Sequence, residues 1–333
     1  MNPIYRLIKL NRLLKSYRIK IAGILFADLF HVRHLFVRLD PFLGCNLRCA
    51  MCFFSNPETH KTLHGSFSAE EVARIAKMFF PKTLQLVVGC VAEPTLFRGL
   101  ADIFTLAKSY GVPFTGLATN GQLLSEQLFK ELAGAGLDEI IISMHGVSKE
   151  TYERLMVGAS YETLHSVLRI ISSEAGPKKP SLRINYTVNP DNLAELADFF
   201  TVFGGYRIAT LQVRVIIDFG KTAYRKRDLS ADAANYRTII AHLHAECKKR
   251  NILLLAPIEL PDYAHPNPAS VVLAYVLRRI TPVCVWRNDF EWKKETYSQF
   301  CGRIRWRRFL IKSIFMPAEK LQRIDTSATY DVL

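Results

Sequence analysis

Between residues 35 and 255 the spacing of hydrophobic positions switches repeatedly between two periods. Short apolar runs at Leu35–Leu39, 84–88, 113–118, Glu139–Met144, 182–188 and 209–217 read as strands. Between them, apolar residues recur every three to four positions over 69–80, 96–110, 123–134, 148–156, Tyr161–Ser173, 192–203 and 231–249, the signature of helices with one buried face. Start and stop signals agree with these limits. Ser68 stands three residues before Glu71 as a capping box, and Pro81 ends that helix. Gly111 closes the next helix, and Gly158 separates 148–156 from Tyr161–Ser173. Residues 252–255 are one more candidate strand, and 269–280 read as a helix.

Alternation of strand and helix at these lengths predicts parallel βαβ units. Six such units fall short of a closed eight-stranded barrel. The expected fold is therefore α/β, a partial (β/α)6 barrel, open at one side where a large substrate can enter. The expected organisation is a basic N-terminal segment over 1–33, a core over 34–256 and a small irregular C-terminal extension over 257–333. A boundary near 220–230 is an alternative, because Lys221, Arg225, Lys226 and Arg227 form a basic connection there.

Composition adds to this picture through charge. A hydrophobic content of 49% with 22% charged residues suits a folded globular chain and excludes a disordered one. The net charge of +14 is concentrated at the ends. Arg6, Lys9, Arg12, Lys15, Arg18 and Lys20 precede the first acid, and residues 301–323 carry seven bases against Glu319 alone. Such ends suit anionic lipid, nucleic acid or an acidic partner. The bases of residues 1–20 step every three positions and drift around a helix, leaving no clean apolar face. The apolar run 21–27 is too short to span a bilayer and is broken by Asp28, and Phe30, His31 and Val32 make a poor cleavage site for a signal peptide. Arg303, Arg305, Trp306, Arg307, Arg308 and Phe309 interleave bases with aromatic rings, which suits RNA but equally a helix on an acidic surface; nucleic acid is not the expected partner.

Seven cysteines is an odd number, and three of them cluster, which points to metal in a reducing compartment rather than to a disulfide framework. Cys45, Cys49 and Cys52 form a C-x3-C-x2-C loop directly after the first strand. Three thiolates can hold three irons of a [4Fe–4S] cubane, leaving the fourth open to the amino and carboxylate groups of S-adenosylmethionine (SAM). The competing reading is a zinc-stabilised binding module, with His60 or His64 as fourth ligand. Beyond these, Cys247, Cys284 and Cys301 are too few for a further four-thiolate cluster of their own.

From about residue 35 to 220 the chain resembles the radical SAM superfamily, on several motifs in order. The cysteine loop comes first. Gly89, Glu93 and Pro94 follow the second strand and are similar to the family's Gly-Gly-Glu-Pro segment, with Val91 and Ala92 where the paired glycines would stand. Thr119, Asn120 and Gly121 match its Thr-Asn-Gly turn, and Ser143 to Gly146 its Ser-x-Asp-Gly, with His145 in place of the aspartate. The resemblance implies a [4Fe–4S] cluster on Cys45, Cys49 and Cys52, and SAM contacts from Glu93, Asn120, Ser143, Arg154, Asn185 and Arg214. It implies reductive cleavage of SAM to a 5′-deoxyadenosyl radical that takes hydrogen from a peptide or small metabolite, with a flavodoxin- or ferredoxin-type donor. A cytoplasmic enzyme is expected, with the basic ends able to touch a membrane or partner. The alternative within the superfamily is an RNA-modifying enzyme.

Overall fold

The computed structural model describes residues 13–14, 16–173, 179–217, 222–225, 228–260, 269–321 and 331–332. Arg6, Lys9, Arg12, Lys15, Lys221, Lys226 and Arg227, which carry part of the charge reading above, lie outside the described residues.

The strands are β1 (Leu35–Leu39), β2 (Phe42–Leu43), β3 (Gly65–Ser66), β4 (Thr83–Val88), β5 (Phe114–Thr119), β6 (Glu139–Met144), β7 (Ser181–Val188), β8 (Ile208–Val215), β9 (Leu253–Ala256), β10 (Leu277–Thr281), β11 (Cys284–Val285) and β12 (Asp331–Val332). All but β2 and β3 form one sheet, ordered β11-β10-β1-β4-β5-β6-β7-β8-β9-β12. From β10 to β9 every neighbouring pair is parallel. The antiparallel strands β11 and β12 lie at the two ends, and the sheet does not close into a barrel. The six expected strands are thus consecutive in the sheet, as β1 and β4 to β8, with β9 and β10 added on either side.

The extra strand β10 corrects two expectations. Residues 269–280 are not one helix: the helix Ala269–Val276 ends and the chain enters the sheet at Leu277. Nor is the C-terminal extension irregular, since it supplies β10 beside β1 together with the helices Tyr297–Arg303 and Trp306–Phe315. A continuous apolar run cannot be divided between helix and buried strand by periodicity alone. The segment 192–203 is also less regular than expected, a 3-10 turn at Ala194–Asp198 followed by the short helix Phe199–Phe203.

Strand alternation separates two faces. Val37, Leu39, Leu86, Val88, Leu117, Ile140, Ile142, Met144, Ile184, Tyr186, Leu211 and Val213 pack outward with the helices into the main core. The opposite face therefore carries Arg38, Gln85, Gly116, Ala118, Glu139, Ser143, Arg183, Asn185, Gln212 and Arg214, and it lines the concavity. The helix Ala69–Phe79 shows the local logic: Ser68 and Glu71 form the complete capping box, and Val72, Ile75, Ala76 and Phe79 are buried. At the N-terminus the helix Tyr17–Leu29 packs against the C-terminal helix Trp306–Phe315, through Ile21 and Ile24 against Trp306 and Leu310. No helix among the described residues is long and apolar enough to cross a membrane.

Candidate active site

Successive strands deliver the candidate residues to one end of the sheet, the C-terminal end, where parallel α/β folds gather their chemistry. The cysteine loop leaves β2 and returns through β3, which pairs with it. Three apolar anchors fold the loop onto the core: Leu47, Met51 and Phe54 are all buried. Backbone bonds fix it further, with Arg48 N–H donating to Val157 O at 2.9 Å and Ala50 N–H to Leu155 O at 2.8 Å. Gly44 opens the loop because a Cβ there would stand 2.5 Å from the Phe42 ring.

All three thiols of the loop are partly buried, and burial raises the pKa of each, Cys45 to about 11. Their charges act on one another: Cys49 feels both Cys45 and Cys52. Opposing burial, the Leu47 N–H reaches Cys45 Sγ at 3.4 Å, the N–H groups of Phe53 and Phe54 favour the Cys52 thiolate, and the Arg48 charge favours both. The loop thus presents mutually close thiols with donors aimed at their sulfurs, the arrangement that thiolates on an iron–sulfur cluster use. The zinc reading is not favoured. His64 is exposed with its Nδ1 3.2 Å from Lys61 O, and the His60 side chain lies outside the description.

Glu93 follows β4 and is 2% exposed. Its Oε1 accepts from Thr95 Oγ1 at 2.6 Å, Thr119 Oγ1 at 2.6 Å and Thr95 N at 3.2 Å, and its Oε2 accepts from Asn120 N at 2.8 Å. Every one of these donors is neutral. Burial pushes the carboxyl pKa up and the donors oppose it, so a cation placed beside this carboxylate would favour its charged form. The SAM ammonium has the charge that fits. Asn120 links this carboxylate to the cysteine loop: its Nδ2 donates to Asn46 Oδ1 at 2.9 Å and approaches Cys45 Sγ at 3.8 Å. Glu93 N–H in turn donates to Gly44 O at 2.9 Å.

The departure from paired glycines at Val91 and Ala92 is met by Asp40, a residue sequence reasoning passed over. Its buried Oδ1 accepts from Cys90 N and Val91 N, each at 2.8 Å, and from Ala92 N at 3.2 Å. A carboxylate gathering three successive N–H groups holds the turn that glycine would otherwise permit. Gly89 does retain a strict need for glycine, with φ of +83° and Ala118 O only 2.2 Å from a would-be Cβ. Asp40→Asn is expected to cost about 1 kcal/mol of stability, read as a lowered thermal midpoint. An unchanged midpoint would remove Asp40 from this role.

Ser143 on β6 and Asn185 on β7 are register partners, and Asn185 pairs onward with Gln212 on β8. Arg183 Nε donates to Asn185 Oδ1 at 3.0 Å, leaving the amide N–H2 as the end of Asn185 for a ligand. Arg183 also contacts Gln212 Oε1 and pairs with the buried Glu139 at 3.5 Å, a polar floor beneath the concavity. Arg214 lies toward the end of β8. Arg154 is placed differently from its companions. It is half exposed and pairs with Asp191 at 3.3 Å, so its guanidinium already has a carboxylate from the protein.

His145, at the end of β6, is partly accessible yet lies inside the concavity, where surrounding protein lowers its pKa to about 4. Its Nδ1 is buried without a partner among the described residues. A depressed histidine favours folding above its unfolded pKa of 6.5 and loses that contribution as pH falls toward about 4. Wild-type stability is expected to drop across that window, and His145→Gln to flatten part of the drop in denaturant titrations at successive pH values. Equal slopes would contradict this.

Strand alternation also brings arginines together that the motifs did not indicate. Arg38 on β1 and Arg279 on β10 are direct register partners, both on the concave face. Together with Arg214 they act on the thiol of Cys90, which opens onto the concavity. The other cysteines stand apart: Cys247 is buried, Cys284 Sγ is 3.2 Å from Asn288 Oδ1, and Cys301 adjoins Tyr297. The RNA reading is not favoured. Arg303 is engaged by Glu295 at 2.7 Å and Arg307 by Asp28 at 2.8 Å, while Trp306 is buried against Tyr275.

An open parallel α/β sheet, with a three-thiol loop and a cation-seeking carboxylate at its C-terminal edge, defines an enzyme of the iron–sulfur and SAM-dependent class. Residues 39–202 match the Radical SAM superfamily. That segment is a Radical SAM domain, of a superfamily whose members use a [4Fe–4S] cluster and SAM and need a reductant and a substrate. In sequence it is 27% identical over 186 residues to a probable GTP 3',8-cyclase of Saccharolobus islandicus, covering 55% of this chain and 58% of that protein. It is 28% identical over 160 residues to the tungsten-containing aldehyde ferredoxin oxidoreductase cofactor-modifying protein of Pyrococcus furiosus, covering 46% and 44%. The chain thus spans less than two thirds of these relatives. In fold it is similar to SuiB of Streptococcus suis bound to S-adenosylmethionine, with a TM-score of 0.59 and 16% identity over 74% of this chain and 58% of that one. It is also similar to anSMEcpe with bound AdoMet, with a TM-score of 0.53 and 17% identity over 65% and 62%.

Proposed function

We propose that this chain is a radical SAM enzyme acting on an anionic substrate. When bound, a [4Fe–4S] cluster with SAM supplies a 5′-deoxyadenosyl radical by one-electron reduction. Cys45, Cys49 and Cys52 would hold the cluster. Glu93 would receive the SAM ammonium, and Asn120, bridging Glu93 and Cys45, holds that carboxylate beside the cysteine loop. Ser143 and the Asn185 amide offer hydrogen bonds to the remaining polar groups of SAM, with Asn185 oriented by Arg183. Arg154 would have to leave Asp191 to reach the SAM carboxylate. The observation that carries the reading is the continuous link from Cys45 Sγ through Asn120 to the Glu93 carboxylate.

Arg38, Arg214 and Arg279 support the substrate class. Three arginines on the same face of the sheet favour a phosphate or carboxylate. Relatives named for GTP act on such a polyanion, while SuiB has been solved with a precursor peptide. A flavodoxin- or ferredoxin-type donor on the cytoplasmic side would supply the electron.

Anaerobic reconstitution tests the chemistry: a brown protein releasing 5′-deoxyadenosine with dithionite is expected, and a colourless protein holding one zinc would overturn it. For the substrate class, the reconstituted enzyme is titrated with GTP as a polyanionic probe and with guanosine. GTP is expected to bind more tightly, and Arg279→Ala to weaken it roughly tenfold, the size of one lost charged hydrogen bond. Equal binding of the two probes would remove the anionic class.

A further inference from the structure

The helix Tyr17–Leu29 is apolar on both flanks. One flank is accounted for: Ile21, Ile24 and the buried Asp28 face the protein. The other faces out, and it too is apolar, with Ile19 59%, Phe26 57% and Phe30 64% exposed at helical spacing and Leu29 beside them. Phe26 and Phe30 stack with ring centroids 4.4 Å apart, forming one projecting aromatic pair. A helix that is hydrophobic all round is ordinarily covered all round. Alongside, the C-terminal helix Trp306–Phe315 runs in the opposite direction, joined by Tyr17 Oη donating to Met316 O at 2.8 Å at one end and by Arg307 to Asp28 at the other. It adds exposed Ile311 and Phe315 to the same two-helix unit.

Charge specifies what covers this surface. Asp28 is the sole acid in the sequence of either helix. It is buried, and both of its oxygens are taken, Oδ1 by Lys82 at 2.9 Å and Oδ2 by Arg307 at 2.8 Å. What remains outside is apolar or basic: Arg18, Arg308 and Lys312 are exposed beside the aromatic and aliphatic side chains. Bulky apolar side chains rimmed by Lys and Arg, with acids removed, are the pattern of a helix lying in the headgroup layer of an anionic bilayer.

We propose that the paired helices Tyr17–Leu29 and Trp306–Phe315 form a docking surface for an anionic lipid bilayer, with Phe26, Phe30 and Phe315 entering the interface and Arg18, Arg308 and Lys312 meeting the headgroups. Docking there is peripheral, and it is independent of the chemistry assigned to the concavity.

Flotation of the full chain with vesicles tests this. One set is phosphatidylcholine alone; the other contains phosphatidylglycerol as well. The wild type is expected to float with the anionic vesicles at least about tenfold more than with neutral ones, and to be released as salt screens the headgroups. Phe26→Glu combined with Phe30→Glu is expected to abolish flotation, and Arg308→Glu combined with Lys312→Glu to remove the preference for anionic lipid. Because all four side chains are exposed, both variants should keep the wild-type circular dichroism spectrum. No binding of the wild type to anionic vesicles would overturn the proposal. So would binding that either folded variant retains in full, or a wild-type dimer that Phe26→Glu with Phe30→Glu converts to monomer, since a second copy would then be the cover.

Discussion

Cys49→Ala is expected to yield a folded protein that cannot retain a [4Fe–4S] cluster and releases no more 5′-deoxyadenosine than a protein-free control. The middle cysteine of the loop stands between the other two. Its thiol is influenced by both of the others, and burial raises its pKa. A thiol held neutral by burial is a poor ligand until a metal displaces its proton. Removing it leaves two thiols, too few to grip a cubane while keeping one iron open for SAM. The fold should survive, because the loop is anchored by Leu47, Met51 and Phe54 and by backbone bonds to Leu155 and Val157, none of which involves the sulfur. Iron analysis and the visible spectrum of anaerobically reconstituted protein read the first effect, and chromatography of the SAM products reads the second. SAM cleavage at the wild-type rate by purified Cys49→Ala would show that the ligands lie elsewhere.

The candidate site residues that the sequence marks share a physical reason. Cys45, Cys49, Cys52, Glu93, Asn120 and Ser143 sit at or just beyond strand ends, where the chain signals its turns with Gly, Pro and Asn, and residue type there reports chemistry directly. The strands β1 and β6 were readable to the residue because β-branched and aliphatic runs are bounded by polar residues. What was not legible depends on which chain segments become neighbours. Arg279 gains meaning only because β10 inserts beside β1, and that strand was hidden in a run readable as helix. Asp40 looks like an ordinary strand-end acid until the loop from Cys90 to Ala92 folds over it. Alternation alone could have placed Arg38 opposite the buried Val37 and Leu39, a signal available but outweighed by the motifs around it. The apolar outer flank of Tyr17–Leu29 was missed for a related reason. Judged with the bases before it, the segment shows no single apolar face, and only its packing against Trp306 and Leu310 reveals which flank is left over.

Glu93→Gln separates cofactor recognition from cluster assembly, and its expected result is a protein with full iron content and SAM affinity lowered roughly ten- to a hundredfold, equivalent to about 1.5–3 kcal/mol for a lost charge-assisted hydrogen bond. Glutamine keeps the shape and one carbonyl acceptor, so some of the bonds from Thr95, Thr119 and Asn120 can persist. It cannot supply a negative charge, and an amide N–H2 in the place of Oε2 is set against the Asn120 N–H that formerly gave to it. The charge matters because the site is buried and holds only neutral donors around the carboxylate, so a bound ammonium would be its sole full counter-charge among the groups described. Binding of SAM to the reconstituted protein, measured beside its iron content, distinguishes this from a structural role. A structural role would lower iron content and thermal midpoint together while leaving the affinity of the remaining holoenzyme intact, and that outcome would exclude Glu93 as the ammonium site. Glu93→Asp offers the complementary control. It keeps the charge but withdraws it by one methylene from Asn120 and the loop, and should restore part of the affinity that Glu93→Gln loses.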